Sequence, residues 1–150
     1  MRIQEHCTVE LPLRKVWGII EDTPTVLACV PGAETIQAVG DQTYSGVLAI
    51  KVGPISAKFA GKATIEEMDP AQNRVRMKVE GIDSRIGSRV SGHMLLQAKE
   101  EGGARTRLAV DADINILGAL GDLGHWIIKK KASAMMQDFS KDLVRRSGEA

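Results

Sequence analysis

The feature that most constrains the fold is a change in the hydrophobic period along the chain. Between residues 35 and 116, apolar side chains recur at every second position, as in strands with one buried face. The segments with this period are 35–39, 43–52, 55–68, 73–81, 87–100 and 104–116. From about Gly118 to Arg146 the spacing becomes helical. The apolar stripe of this helix consists of Leu120, Leu123, Ile127, Ala134, Met135, Phe139 and Leu143. Such a helix is the only large apolar partner for the strands, so we expect it to cover their buried face.

The segment before these strands adds one more strand and two short helices. Residues 2–11 also alternate, and Pro12 fits the first turn of a helix over 13–21. A second short helix is predicted over 24–29. Because turn residues join successive strands, the sheet is predicted to be antiparallel. The prediction is one α+β domain over residues 1–150, with a curved seven-strand antiparallel sheet wrapped on a long C-terminal helix.

Aromatic and charged residues exclude a class of partner. The chain has two Trp, one Tyr and two Phe, and its 20 basic and 19 acidic residues give a net charge of +1. Proteins that bind single-stranded nucleic acid combine stacked rings with a basic groove, so no nucleic acid is expected as a partner. No apolar run approaches the roughly 18 residues that cross a bilayer. The N-terminus lacks an apolar signal segment and Cys7 and Cys29 are the only cysteines, so a cytoplasmic protein is expected.

The glycines and histidines do not form a cofactor or metal motif. Gly118, Gly121 and Gly124 have the spacing G-x-x-G-x-x-G, which differs from the dinucleotide fingerprint G-x-G-x-x-G. The three histidines lack the spacings of zinc ligands. We therefore predict neither a metal nor a cofactor.

Acidic residues offer one candidate for acid–base chemistry. Asp111 and Asp113 share the polar face of their strand, where solvated carboxylates are expected. Glu5 is the one acid whose strand parity points inward, where burial raises the pKa of a carboxyl group. A position at a frayed strand end fits Glu5 equally well, so no catalytic residue is assigned.

Lys129, Lys130 and Lys131 form the main local concentration of positive charge. Such a run is either the solvated face of a helix or a docking site for an acidic partner or an anionic membrane.

The inward-facing side chains are mostly aliphatic residues and Met, with small residues between them. Such an interior is either a close-packed core or a cavity in which flexible Met side chains adapt to an apolar guest. Trp17 and Phe59 are the rings expected to border that cavity. The candidate ligand-binding residues are Trp17, Val26, Leu27, Val30, Phe59, Met77, Met94, Leu108, Leu120, Leu123 and Ile127.

Short motifs along nearly the whole chain carry a family resemblance. They are Val16-Trp17-Gly18, Pro31-Gly32-Ala33-Glu34, Val52-Gly53-Pro54-Ile55 and Leu117-Gly118-Ala119-Leu120-Gly121. With these motifs the sequence resembles the carbon monoxide dehydrogenase G-subunit family of the START-like (SRPBCC) superfamily. It departs from that family late in the last helix, where Phe139 stands in place of the usual pair of Phe residues.

The resemblance implies a helix-grip fold and a non-catalytic accessory role. It implies a lipid or quinone-like ligand in a hydrophobic cavity, and association with carbon monoxide dehydrogenase or a related molybdenum hydroxylase. The role would be maturation of that enzyme or its recruitment to the inner face of the membrane. One alternative is a cyclase or hydratase-type enzyme acting on a hydrophobic substrate, with Glu5, Tyr44 and Lys51 as its inward polar groups. The other alternative is an adaptor without a ligand.

Overall fold

Seven strands form one antiparallel sheet in the computed structural model, which describes residues 1–148. The strands are β1 (Arg2–Val9), β2 (Ala33–Gly40), β3 (Thr43–Val52), β4 (Ile55–Asp69), β5 (Arg74–Asp83), β6 (Ser88–Glu100) and β7 (Thr106–Leu117). Their order in the sheet is β1-β7-β6-β5-β4-β3-β2. Because β1 pairs with β7, the chain must pass from one edge of the sheet to the other after β1. This arrangement confirms the predicted fold class.

Three helices complete the fold. Two short helices, α1 (Leu13–Ile20) and α2 (Thr23–Ala28), make the passage between the sheet edges, and α3 (His125–Ser147) is the long helix. Pro12 precedes the first turn of α1, where its missing N–H is not needed. Val16, Trp17 and Ile20 form the buried side of α1. The two short helices lie within one residue of their predicted bounds.

The long helix begins later than the sequence predicts. Gly118 and Gly124 have positive φ angles of 81° and 91°, which stop a right-handed helix. Between them the chain makes a 3₁₀ turn over Gly121–Leu123, and α3 begins at His125. A Cβ at Gly118 would overlap the carbonyl oxygen of Gly87, so this glycine also permits close contact with the turn between β5 and β6.

The apolar stripe predicted for the last helix faces the interior at nearly every position. Ile128, Met136, Ser140 and Leu143 are the buried residues of this helix, whereas Ala134 is exposed. Of the predicted stripe, Leu120 and Leu143 are buried and Leu123, Ile127, Met135 and Phe139 are half-buried, so only the prediction for Ala134 is wrong.

The interior between the sheet and α3 has two halves of different density. In the packed half, α1 and the last turns of α3 cover one end of the sheet. Its fully buried side chains include Val9, Val16, Val75, Leu108 and Leu143. In the open half, the first turns of α3 lie over the other end of the sheet. Because α3 packs more closely on β1 than on β3, a cavity is left there.

The turn between β5 and β6 is held by hydrogen bonds, one of which reaches a residue of the cavity wall. Asp83 is buried, and its carboxylate accepts hydrogen bonds from the backbone N–H groups of Lys58 at 2.8 Å and Arg85 at 3.1 Å. The Lys58 N–H, with help from the Arg85 guanidinium, lowers the pKa of Asp83. Ser88 Oγ accepts the N–H of Leu120 at 2.9 Å, which fixes Leu120 as one wall of the cavity.

Candidate ligand-binding cavity

The open half contains a cavity of about 360 Å³ whose lining is almost entirely apolar. This volume lies within the range of roughly 300–1,000 Å³ that is typical of small-molecule sites. All seven strands contribute to the lining, including β1 through Ile3 and β2 through Ile36. The remaining walls come from α2, α3 and the adjacent residues Val30 and Leu120. An interior of this kind favours an apolar molecule, since a polar guest would lose its hydrogen bonds to water.

Three glycines create a trough across the floor of the cavity. Gly46 on β3 lies opposite Gly61 on β4, and Gly61 lies opposite Gly81 on β5. All three line the cavity, and none of them carries a side chain on the inner face of the sheet. At Gly61 a Cβ would overlap the carbonyl oxygen of Glu80, whereas at Gly46 it would stay 3.4 Å from its nearest atom. Close strand packing therefore requires the glycine at position 61 only.

The helical wall carries one charged side chain. Ile128, Ala132 and Met135 supply its apolar surface, and Lys131 lies among them. Lys131 is half-buried, and it has neither an ion pair nor a hydrogen bond with any residue of 1–148. The Tyr44 hydroxyl, on the sheet side of the lining, likewise has no hydrogen-bond partner within that range. The cavity therefore offers two polar groups that nothing in this part of the chain satisfies.

Six of the eleven candidate ligand-binding residues lie on the cavity wall. They are Leu27, Val30, Phe59, Met77, Met94 and Leu120. Three others lie in the buried cluster of the packed half, namely Trp17, Val26 and Leu108. Leu123 and Ile127 lie beside the cavity, since they pack against a cluster that shares Val52, Phe59 and Leu120 with its lining. Strand parity identifies the inward face of the sheet, but it does not show which half a residue occupies.

Sequence reasoning missed Lys131 and Gly46 as cavity residues. Lys131 is grouped in the sequence with Lys129 and Lys130, but those two lysines are exposed. The signal for its position is helical spacing, because Lys131 stands four residues after Ile127 and four before Met135. The signal for Gly46 is its place in register with Gly61, which only strand pairing reveals.

An exposed aromatic residue lies beside the two remaining lysines. Trp126 is 72% exposed, and the Lys130 ammonium lies 5.2 Å from the centre of its ring. This distance is within the range of a cation–π contact. Trp126, Lys129 and Lys130 thus form a surface patch at the start of α3, which we call the α3 patch.

The other residues considered from the sequence lie outside the cavity. His6 and His93 are exposed, and His93 Nδ1 lies 2.9 Å from Glu66 Oε1. Glu5 is half-buried on β1, away from the cavity wall, and Lys51 is exposed. Asp111 accepts two hydrogen bonds from Arg2, at 3.0 and 2.7 Å, which is a structural role on the sheet surface.

Both cysteines are buried and unpaired, and their environments keep them protonated. Burial raises the pKa of the Cys7 thiol, and burial together with nearby Asp142 raises the pKa of Cys29 to about 11. Thiols in this state are poor nucleophiles at neutral pH. Within residues 1–148, no group of three or more His, Cys, Asp or Glu side chains is placed to hold a metal ion. No helix in this range is long and apolar enough to cross a membrane.

Comparison with known proteins identifies the family. The sequence profile of CoxG, the G subunit of carbon monoxide dehydrogenase, matches residues 6–147. Comparison with curated proteins finds no match.

Solved structures show the same fold at low sequence identity. A conserved protein from Geobacillus kaustophilus superposes with a TM-score of 0.85 at 15% identity, covering 99% of this chain and 96% of that one. A START superfamily protein from Mycobacterium smegmatis gives 0.70 at 15% identity, with 99% and 97% covered. The ZhuI aromatase/cyclase from Streptomyces sp. R1128 gives 0.58 at 18% identity, with 99% and 93% covered. The chain therefore has a START-like fold.

Proposed function

The chain belongs to the CoxG family, the G subunits of carbon monoxide dehydrogenase, and we propose that it is an accessory protein that holds a lipid or quinone-like molecule in its cavity. The observation that carries this proposal is the apolar cavity of about 360 Å³ between α3 and the sheet. Apolar surface gains free energy when it leaves water, so a hydrophobic tail would fill this space without needing many polar contacts.

A cyclase or hydratase-type reaction in the same cavity is less well supported. Such an enzyme needs an acid or base within hydrogen-bond reach of the reacting atoms. Tyr44 and Lys131 are the polar side chains that the inner lining provides, and Glu5 lies elsewhere. The likeness to an aromatase/cyclase, at 18% identity, is a likeness of fold alone. Binding without chemistry is therefore the better explanation of the cavity.

We assign the partner through family membership. The protein would assist the maturation of carbon monoxide dehydrogenase or a related molybdenum hydroxylase, or its recruitment to the inner face of the membrane. The α3 patch supports membrane recruitment, because Trp side chains favour the membrane interface and lysines are attracted to anionic lipids. Trp126, Lys129 and Lys130 are all exposed for such a contact.

A cavity-filling variant tests the binding role. Ala63 lines the cavity on β4, and Ala60 faces the opposite side of the same strand. The neutral apolar dye Nile red should bind the native protein, and Ala63→Leu should weaken this binding at least about tenfold by filling space. Ala60→Leu is the matched control and should bind Nile red as the native protein does. Equal binding by all three proteins would place the dye outside the cavity and contradict the proposal.

Vesicle sedimentation tests the α3 patch. The double variant Lys129→Gln/Lys130→Gln should bind anionic vesicles roughly thirtyfold more weakly, since each lysine near the surface contributes about 1 kcal/mol. The control is Lys78→Gln/Lys99→Gln, which removes the same charge from exposed positions on β5 and β6. Binding that does not respond to salt, or that falls equally in both variants, would rule out docking through this patch.

A further inference from the structure

We propose that the ligand is an amphiphile with an anionic head group, and that the Lys131 ammonium pairs with that head group at the cavity wall. This inference rests on the proposed binding function and adds the chemical class of the ligand. Its basis is a cation that the chain leaves unpaired within residues 1–148, on an otherwise apolar surface.

Lys131 differs from the basic side chains that form ion pairs within the fold. Arg2 pairs with Asp111, Arg85 pairs with buried Asp83, and Arg74 lies 3.7 Å from Glu67. Lysines of residues 1–148 without an ion pair, such as Lys129 and Lys130, are otherwise exposed to solvent. Lys131 is half-buried among apolar side chains and has no such partner in the described part of the chain. An anionic head group beside this ammonium would form a charge-assisted hydrogen bond that a neutral head group cannot form, so the wall favours an anion.

Two other charged residues border the cavity but do not compete for this role. Lys62 on β4 and Glu80 on β5 lie directly opposite each other in the strand register. Both are exposed, and their parity places them on the outer face of the sheet, opposite to that of Gly61 and Gly81. They reach the cavity through the backbone beside these glycines, so neither one neutralises Lys131.

In the proposed complex the head group lies at Lys131 and the tail lies on the apolar lining. On α3, residues Ile127, Lys131 and Met135 follow one another at intervals of four, so they share one side of the helix. The trough formed by the three glycines of β3, β4 and β5 crosses the sheet below. A narrow trough without side chains suits one unbranched chain, and its charged end would remain at the half-exposed Lys131. The Tyr44 hydroxyl offers a further donor within the same lining.

Ligands with equal chains and different head groups test the proposal. Nile red bound to the native protein is displaced by dodecanoic acid, dodecyl phosphate or 1-dodecanol, at a pH where the two acids are ionised. We expect at least one of the anionic ligands to bind about tenfold more tightly than the alcohol, as a charge-assisted hydrogen bond provides. A tighter phosphate would point to a phosphorylated lipid, and a tighter carboxylate to a free fatty acid.

Variants at position 131 assign the effect to the proposed group. Lys131→Met should reduce the advantage of the anion to less than about twofold while leaving the alcohol's affinity unchanged, and Lys131→Arg should restore it. Lys141→Met, at an exposed position of the same helix outside the cavity wall and the α3 patch, should keep the full advantage. Circular dichroism melting of each variant verifies that the fold is intact.

The outcomes separate this inference from the proposed function. If the alcohol or a neutral quinone binds the native protein as tightly as the anions do, the anionic head group is wrong and the apolar binding site remains. An anion preference that survives in Lys131→Met would also overturn the inference. If neither Nile red nor any ligand binds in the cavity, the proposed function itself fails.

Discussion

The packed and open halves of the interior are built from the same sheet and the same helix, yet only one of them is filled. In the packed half, Val75, Leu108 and Leu143 leave almost no surface to solvent. In the open half, Gly46 and Gly81 occupy positions where the sheet elsewhere carries large side chains, and a cavity remains. The difference shows that the size of the side chains on the inner face of the sheet determines whether the helix packs against the sheet or leaves a cavity.

The same contrast runs along α3. Its last turns bury Met136 and Leu143, whereas its first turns present Lys131 and Met135 to the cavity and Trp126 to the exterior. One helix therefore stabilises the fold at one end and forms a binding surface at the other. Variants at the two ends should separate stability from binding.

The largest effect is expected from truncation in the packed half. Leu143→Ala removes a fully buried side chain and should lower the free energy of unfolding by about 2–5 kcal/mol. Met135→Ala, the counterpart on the cavity wall, should cost less than about 1 kcal/mol because its side chain already faces empty space. Urea denaturation measures both values. Equal losses would mean that the two halves are packed alike.

A smaller effect is expected within the glycine trough. Gly61→Ala forces the strands apart at the Glu80 carbonyl and should cost about 1–3 kcal/mol, as overpacking does. Gly46→Ala has room for the added methyl group and should change stability by less than about 0.5 kcal/mol. The comparison is again made by urea denaturation. A large loss at Gly46 would show that the trough is less open than its lining indicates.

The turn between β5 and β6 should respond to acid. The pKa of Asp83 is lowered in the folded protein from its ordinary value of 3.8. Its ionised form therefore stabilises the fold above pH 3.8, and this contribution is lost as the pH falls through the lower, folded pKa. Urea unfolding of the native protein and of Asp83→Asn across the acid range should show a difference that shrinks below pH 3.8. A difference independent of pH would contradict this role.

The smallest effect on stability is expected at the α3 patch. Trp126 is 72% exposed, so Trp126→Ala should change the free energy of unfolding by less than about 0.5 kcal/mol. Trp17→Ala, by contrast, removes a buried ring of the packed half and should cost about 3–5 kcal/mol. Thermal melting compares the two variants. A loss above about 1 kcal/mol at Trp126 would indicate that this ring packs against the fold.

Hydrophobic period alone is sufficient to predict the fold. The strands alternate because the sheet buries one face, and the single long helix is the only element able to cover it. The start of α3 cannot be predicted in this way, since its glycines have helical spacing but adopt positive φ angles that end the helix. The spacing of residues predicts which side chains share one side of a helix, but it does not predict the φ angle of a glycine.

The binding site is predicted less completely than the fold. Strand parity predicts that Phe59 and Leu108 both face inward. The packing of α1 and α3 is what places Leu108 in the packed half. The position of Lys131 on the cavity wall is difficult to predict because it belongs to a run of three lysines. Three successive residues of a helix point in three different directions. Sequence patterns therefore predict the inner face, and tertiary packing decides where it stays open.

Native mass spectrometry of the purified protein tests most directly whether the open half is a ligand cavity. We predict that the native protein takes up a lipid or quinone-like molecule, seen as an added mass that organic extraction removes. Ala60→Leu should show the same added mass, and Ala63→Leu should lose it. The account is contradicted if the native protein shows only its own mass after incubation with lipid extracts, or if Ala63→Leu retains the ligand as well as Ala60→Leu does.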